Sequence, residues 1–191
     1  MNSDPEIRHR KSIRLKGYDY SKSGVYFITI CIKDRNCIFG KIVDGEMILS
    51  DTGNIANEYW LNIPEHFPNV KLHEHIVMPN HVHGIIELIN VGVQNFEPLH
   101  NDTKNIAGVP NLEPLQNQFQ RIIPYSIGSI IRGYKVGVTK WLRANNIIHG
   151  KWQRNFHEHI IRNEQSYYTI ANYIITNPKN WREDKFYTQQ L

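Results

Sequence analysis

The segment GVYFITICIK, residues 24 to 33, is apolar at odd and even positions alike and rich in β-branched and aromatic side chains. Alternate residues of a strand face opposite ways, so a strand without a polar side is stable only inside a sheet, with cover above and below. This segment is therefore expected to be central, and the rest of the chain must supply its neighbours.

It does so in a readable order. CIFGKIVDGEMILS reads as two short strands around Asp44-Gly45, a dipeptide suited to a type I′ turn because both positions tolerate positive φ. SDTGNIANEYWLNIP offers Ser50 or Asp51 as an N-cap, a stripe of Ile55, Ala56, Tyr59 and Trp60 at helical spacing, and Pro64 as a stop. VKLHEHIVMPNHVHGIIEL is a second strand pair broken at Pro79-Asn80. From Ser126 to about Asn145, the residues Ile127, Ile130, Ile131, Tyr134, Val138 and Trp141 stripe one side of a long helix. GKWQRNFHEHIIR is expected to be extended in part, and NEQSYYTIANYIITNP is a helix that Pro178 ends. The sum is an α+β domain, an antiparallel sheet with helices on one face. With 191 residues the chain is long enough to bury a core as one domain.

Two regions stand apart. Residues 89 to 122 are rich in Asn, Gln, Pro and Gly, and VGVQNFEPLHN at 91 to 101 returns as AGVPNLEPLQN at 107 to 117, matching at seven of eleven positions. Such a segment has no period that would bury a face, and we expect a flexible, duplicated insertion there, with a short tail from about 179. The N-terminal stretch has basic residues but no apolar segment after them, and no apolar run approaches the ~20 residues that span a bilayer. No membrane association and a cytoplasmic location are the expectations.

Net charge is only +4, yet from Arg121 to Arg162 eight Lys or Arg stand against one acid, and five more lie between Arg8 and Lys16. Clustering of this kind suits a phosphate backbone as well as a solvated face, so the motifs must decide. The two cysteines, Cys31 and Cys37, form neither a disulfide framework nor a thiolate metal site.

In a strand, His81 and His83 share one face while Val82, Gly84, Ile86 and Leu88 take the other. Two imidazoles on a rigid strand are good donors for a divalent metal. If Pro79-Asn80 is a two-residue turn, Met78 faces His81 and Ile76 faces His83, so His73 and His75 point away from the pair. Two histidines do not complete a coordination sphere. On the last helix, Tyr173 lies just off the apolar stripe of Tyr167, Ile170, Ala171 and Ile174, and Asn177 follows one turn later on the same side. Tyr134, by contrast, falls on its own helix's apolar stripe and is expected in the core.

The motifs MPNHVHGII at 78 to 86, WQRNFHEHIIRNE at 152 to 164, YIITNP at 173 to 178 and RLKGYDYSKSGVYFITI near the start together resemble the single-tyrosine HUH transposases, and within them the REP-associated tyrosine transposases of the IS200-like group. The histidine-triad nucleotide hydrolases also carry a histidine-hydrophobic-histidine run but continue it with a third histidine, where this chain has Ile85. The resemblance implies a ferredoxin-like HUH endonuclease fold and a metal-dependent nuclease and strand transferase acting on single-stranded or hairpin DNA. It places His81 and His83 as metal ligands, Tyr173 as the nucleophile, Asn177 as a third ligand to Mg²⁺ or Mn²⁺, and His159 at a recurrent position without a derivable role. The product would be a 5′-phosphotyrosine and a free 3′-hydroxyl.

On that reading Arg132, Lys135, Lys140 and Arg143, with Trp152 and Arg154, are candidate DNA contacts, and Arg14 and Lys16 of the basic arm are others. The resemblance admits a swapped homodimer with composite sites or a monomer. Competing readings are a non-cleaving hairpin-binding protein derived from such a transposase, and a zinc-stabilised RNA-binding module using His73 and His75.

Overall fold

The computed structural model describes residues 19–90, 123–147 and 150–188. The basic arm with Arg14 and Lys16, and the duplicated insertion from residue 91 on, lie outside the described residues.

The central prediction holds. Strand β1 (Gly24–Cys31) pairs antiparallel with both β5 (His81–Leu88) and β6 (His157–Ile161), and β4 (Val70–Met78) pairs with β5, giving the order β4-β5-β1-β6. With α1 (Asp51–Leu61) between β1 and β4, and α3 (Ile127–Ala144) between β5 and β6, the path is the βαββαβ of a ferredoxin-like fold. The excursion between β1 and α1 holds the hairpin β2 (Gly40–Val43) and β3 (Glu46–Leu49). Its turn has φ of 52° at Asp44 and 78° at Gly45, the two positive values a type I′ turn requires. A short α2 (Ile63–His66) follows α1, and α4 (Glu164–Thr176) follows β6.

Helices cover both faces of the sheet, which corrects the expectation of one helical face. Tyr26, Ile28 and Ile30 of β1 and Val82, Ile86 and Leu88 of β5 pack against Ala56 and Trp60 of α1 and the buried stripe of α3. The opposite face, with Phe27 and Ile85, meets Ala171, Ile174, Tyr167 and Ile170 of α4. The reason lies in the opening segment itself: a strand apolar on both sides needs cover on both sides.

Local caps match the sequence. Ser50, not Asp51, caps α1 through its Oγ, which accepts from the Gly53 amide at 3.2 Å. Ser126 caps α3 and Asn163 caps α4 in the same way. Fully buried Trp60 lies flat against the backbone of β5, where a Cβ at position 84 would collide with its indole; only glycine permits that approach. Tyr134 is core, as expected, its hydroxyl donating to the Ala56 carbonyl at 3.1 Å.

The pairing Met78↔His81 and Ile76↔His83 agrees with the predicted two-residue turn, and His75 opposite Gly84 points to the α1 side, stacked on Trp60 and hydrogen-bonded to Asn57. His73 does not follow. A bulge between Leu72 and His75 adds one residue to β4 and returns His73 to the α4 face, where it meets Tyr167 and Glu87.

Candidate active site

His81 and His83 sit near the start of β5, 0% and 1% exposed, and project onto the face that α4 covers. A neighbouring side chain sets the orientation of each ring. Asn80 uses its amide nitrogen as a donor to the Arg35 and Phe186 carbonyls, so its Oδ1, 2.9 Å from His81 Nδ1, can only accept. The proton of His81 is therefore on Nδ1, and the bare lone pair of Nε2 is directed into the site, buried and, among the described residues, without a hydrogen-bond partner. His83 Nδ1 lies 2.8 Å from Thr29 Oγ1, which can accept or donate, so either tautomer of His83 is accommodated.

Above the pair stands α4. The Tyr173 ring packs edge-on against Phe27 and His83, at 6.2 and 5.2 Å between centroids. Its hydroxyl oxygen is 3.2 Å from His83 Nε2 and donates to Asp184 Oδ2 at 3.0 Å. One turn on, buried Asn177 donates its amide to the same carboxylate oxygen at 2.9 Å, and its Oδ1 is buried and, among the described residues, without a partner. The site is thus assembled within one chain.

Asp184 was not singled out from the sequence. It follows a 3-10 turn at Trp181–Glu183, and its other oxygen accepts from the Phe186 amide. That local Asx turn was a readable signal for a bend, but only the folded-back course of residues 181 to 188 brings the carboxylate to the histidines. Phe186 packs on His81 at 4.7 Å, and Asn80 clamps the segment through the Phe186 carbonyl and Thr188. His81, His83 and Asp184 each present a ligand atom within 4.8 Å of the others, a group able to hold a metal ion.

The electrostatics agree with such a role. Burial, reinforced by the nearby charge of Lys185, pushes His81 down to about 3, and burial with the neighbouring His81 holds His83 well below the usual imidazole range. Both are neutral, the form a metal needs. The Tyr173 phenol is pushed up, by burial first and then by the charge of Asp184. A phenol so placed is a weak nucleophile until positive charge enters the site.

The candidate DNA contacts divide. Arg132, Lys140, Arg143 and Arg154 line a groove of about 610 Å³ between α3 and residues 154 to 158, with Ile131, Val136 and Phe156 as its apolar wall. This groove is on the α3 face of the sheet, behind the Tyr173 face. Lys135 also lines it, but its Nζ donates to the Gln153 and Asn155 carbonyls, both at 2.9 Å, and Trp152 is packed against Phe39 and Tyr134 with its Nε1 bound to the Lys135 carbonyl. These two residues tie α3 to the following loop rather than face outward. His159, exposed on β6 and paired with Phe27, projects on the Tyr173 side of the sheet.

No family model matches the chain. An uncharacterised protein of Haemophilus influenzae is 46% identical over 181 residues, 95% of this chain and 94% of that protein. A second Haemophilus influenzae protein, named "Putative REP-associated tyrosine transposase", is 26% identical over 162 residues, covering 84% of this chain and 73% of its own length. A solved REP-associated tyrosine transposase, determined bound to a REP hairpin, superposes with a TM-score of 0.54 at 19% identity over 88% of this chain and 73% of that one, a likeness of fold. The chain thus resembles the REP-associated tyrosine transposases in sequence and in fold. It shares the α+β fold of that solved transposase, and among its described residues no helix is long and apolar enough to cross a membrane.

Proposed function

We propose that this chain is a metal-dependent single-stranded DNA endonuclease and strand transferase that acts at hairpin sites through Tyr173. The observation that carries the reading is the approach of the Tyr173 hydroxyl to within 3.2 Å of His83 Nε2, beside the bare, buried Nε2 of His81. Packing for stability alone does not account for a phenol held over two neutral imidazoles and a carboxylate, because two of its neighbours leave a buried polar atom unsatisfied.

The residues fit a divalent cation, Mg²⁺ or Mn²⁺. His81 Nε2, His83 Nε2 and Asp184 would hold it, and the orphaned Oδ1 of Asn177 is a further oxygen donor. When bound, such an ion supplies positive charge against the phosphate oxygens as phosphorus becomes five-coordinate. Thr29 lets His83 carry its proton on Nδ1 and free Nε2. Asp184 orients the phenol and receives its proton. The Tyr173 oxygen then attacks phosphorus in line, the bond to the 3′-oxygen breaks, and that oxygen takes a proton from solvent water and leaves as a 3′-hydroxyl while the 5′-phosphate stays on Tyr173. Bond energy is retained in the phosphotyrosine, so a 3′-hydroxyl can reverse the step without ATP.

Arg132, Lys140, Arg143 and Arg154 give the hairpin backbone a cationic seat in the α3 groove. With Tyr173 and the histidine pair in one chain, a monomer suffices for the chemistry. The test is incubation of hairpin oligonucleotides carrying single-stranded flanks with manganese. Wild-type protein should yield a covalent protein–DNA adduct, and Tyr173→Phe should bind the same DNA and yield none; an adduct persisting in Tyr173→Phe removes the assignment.

A further inference from the structure

The surroundings of Tyr173 are unequal. Helix α4 leans toward β4 and β5: Tyr167 bonds Glu74 and His73 of β4, and Ala171 and Ile174 pack on Ile85. Phe186 covers the His81 side. The remaining side is the strand β6, which among the described residues pairs only with β1. There His157 stands opposite Thr29, itself opposite and bonded to His83, while His159 stands opposite Phe27, on which the Tyr173 ring rests. Both imidazoles are exposed on the Tyr173 face, and among the described residues neither has a hydrogen-bond partner. The alternate residues of the same strand segment, Phe156 and Glu158, line the α3 groove behind.

We infer that β6 is the edge over which unpaired DNA passes from the groove to the nucleophile, with His157 and His159 forming the shelf that receives the single-stranded flank. This rests on the nuclease reading above. Strand geometry carries it: one short strand presents the basic groove on one face and two free imidazoles beside Tyr173 on the other. Arg154 and exposed Arg162 bracket it, so a phosphate chain crossing the edge meets cations at both ends. An imidazole offers an unstacked base a flat face and a phosphate oxygen an N–H donor, without selecting among bases.

The test separates flank from hairpin and binding from chemistry. In a Tyr173→Phe background, a fluorescent hairpin oligonucleotide is titrated with and without its single-stranded flank. The parent should bind the flanked form more tightly. The double variant His157→Ala/His159→Ala should lose at least about fivefold for the flanked form, the effect of one stacked base, and nothing for the bare hairpin. An unchanged flank increment, or equal weakening of both forms, overturns the proposal. Should the double variant fail to fold, photocrosslinking of 5-iodouridine in the flank decides: attachment to a peptide containing residues 157–159 supports the shelf, and attachment only elsewhere refutes it. Adduct formation by the wild-type chain on the same oligonucleotide reports separately on the nuclease.

Discussion

Lowering the pH of metal-free protein should destabilise it through His81, and the size of the effect follows from where that ring sits. His81 is fully buried and neutral, held down to about 3 by burial and by Lys185, whereas the unfolded chain takes up a proton near the ordinary value of 6.5. Folding is thus favoured above pH 6.5, and the advantage shrinks as pH falls and only the unfolded state gains a proton. Between pH 7.5 and 5.0 this amounts to about 1.5 pH units of unequal proton binding, about 2 kcal/mol lost from His81 alone. His83 adds in the same direction. Urea unfolding in EDTA at the two pH values, on wild type and His81→Gln, measures it. The wild type should lose about 2 kcal/mol more than the variant over this interval. Equal pH dependence in the two proteins would refute the claim that a neutral, desolvated imidazole occupies position 81.

Other outcomes follow from the same geometry. Manganese at a hundred times its dissociation constant should raise the unfolding free energy by about 2.7 kcal/mol, and His81→Ala and Asp184→Ala should each abolish that gain in calorimetric melts. Gly84→Ala should destabilise the fold by about 1–3 kcal/mol in urea titrations, because the added methyl displaces the Trp60 indole. Lys135→Met and Arg143→Ala should separate: the first lowers stability by about 2 kcal/mol through two lost hydrogen bonds to carbonyls, while the second leaves melting unchanged and reduces the salt slope of DNA binding by about 0.9.

Local physics made much of this chain readable from its sequence. The doubly apolar 24–33 segment required an inner strand, Asp44-Gly45 required a tight hairpin, Ser50 and Ser126 marked helix starts, and a period of two placed His81 and His83 on one face. Helical spacing likewise put Tyr173 and Asn177 on one side of α4. Each of these depends on neighbours within a few residues, where steric and hydrogen-bond preferences act directly. What folding alone decided involves groups far apart in the chain. The bulge before His75 turned His73 toward α4, because sheet register answers to both strands at once. Lys135 and Trp152 were drawn into a tie between α3 and its following loop, since carbonyls left free by an irregular segment take the nearest donor. Asp184 entered the site because the segment after α4 folds back over β5 and is held there by Asn80, a contact between residues more than a hundred positions apart that no local pattern encodes.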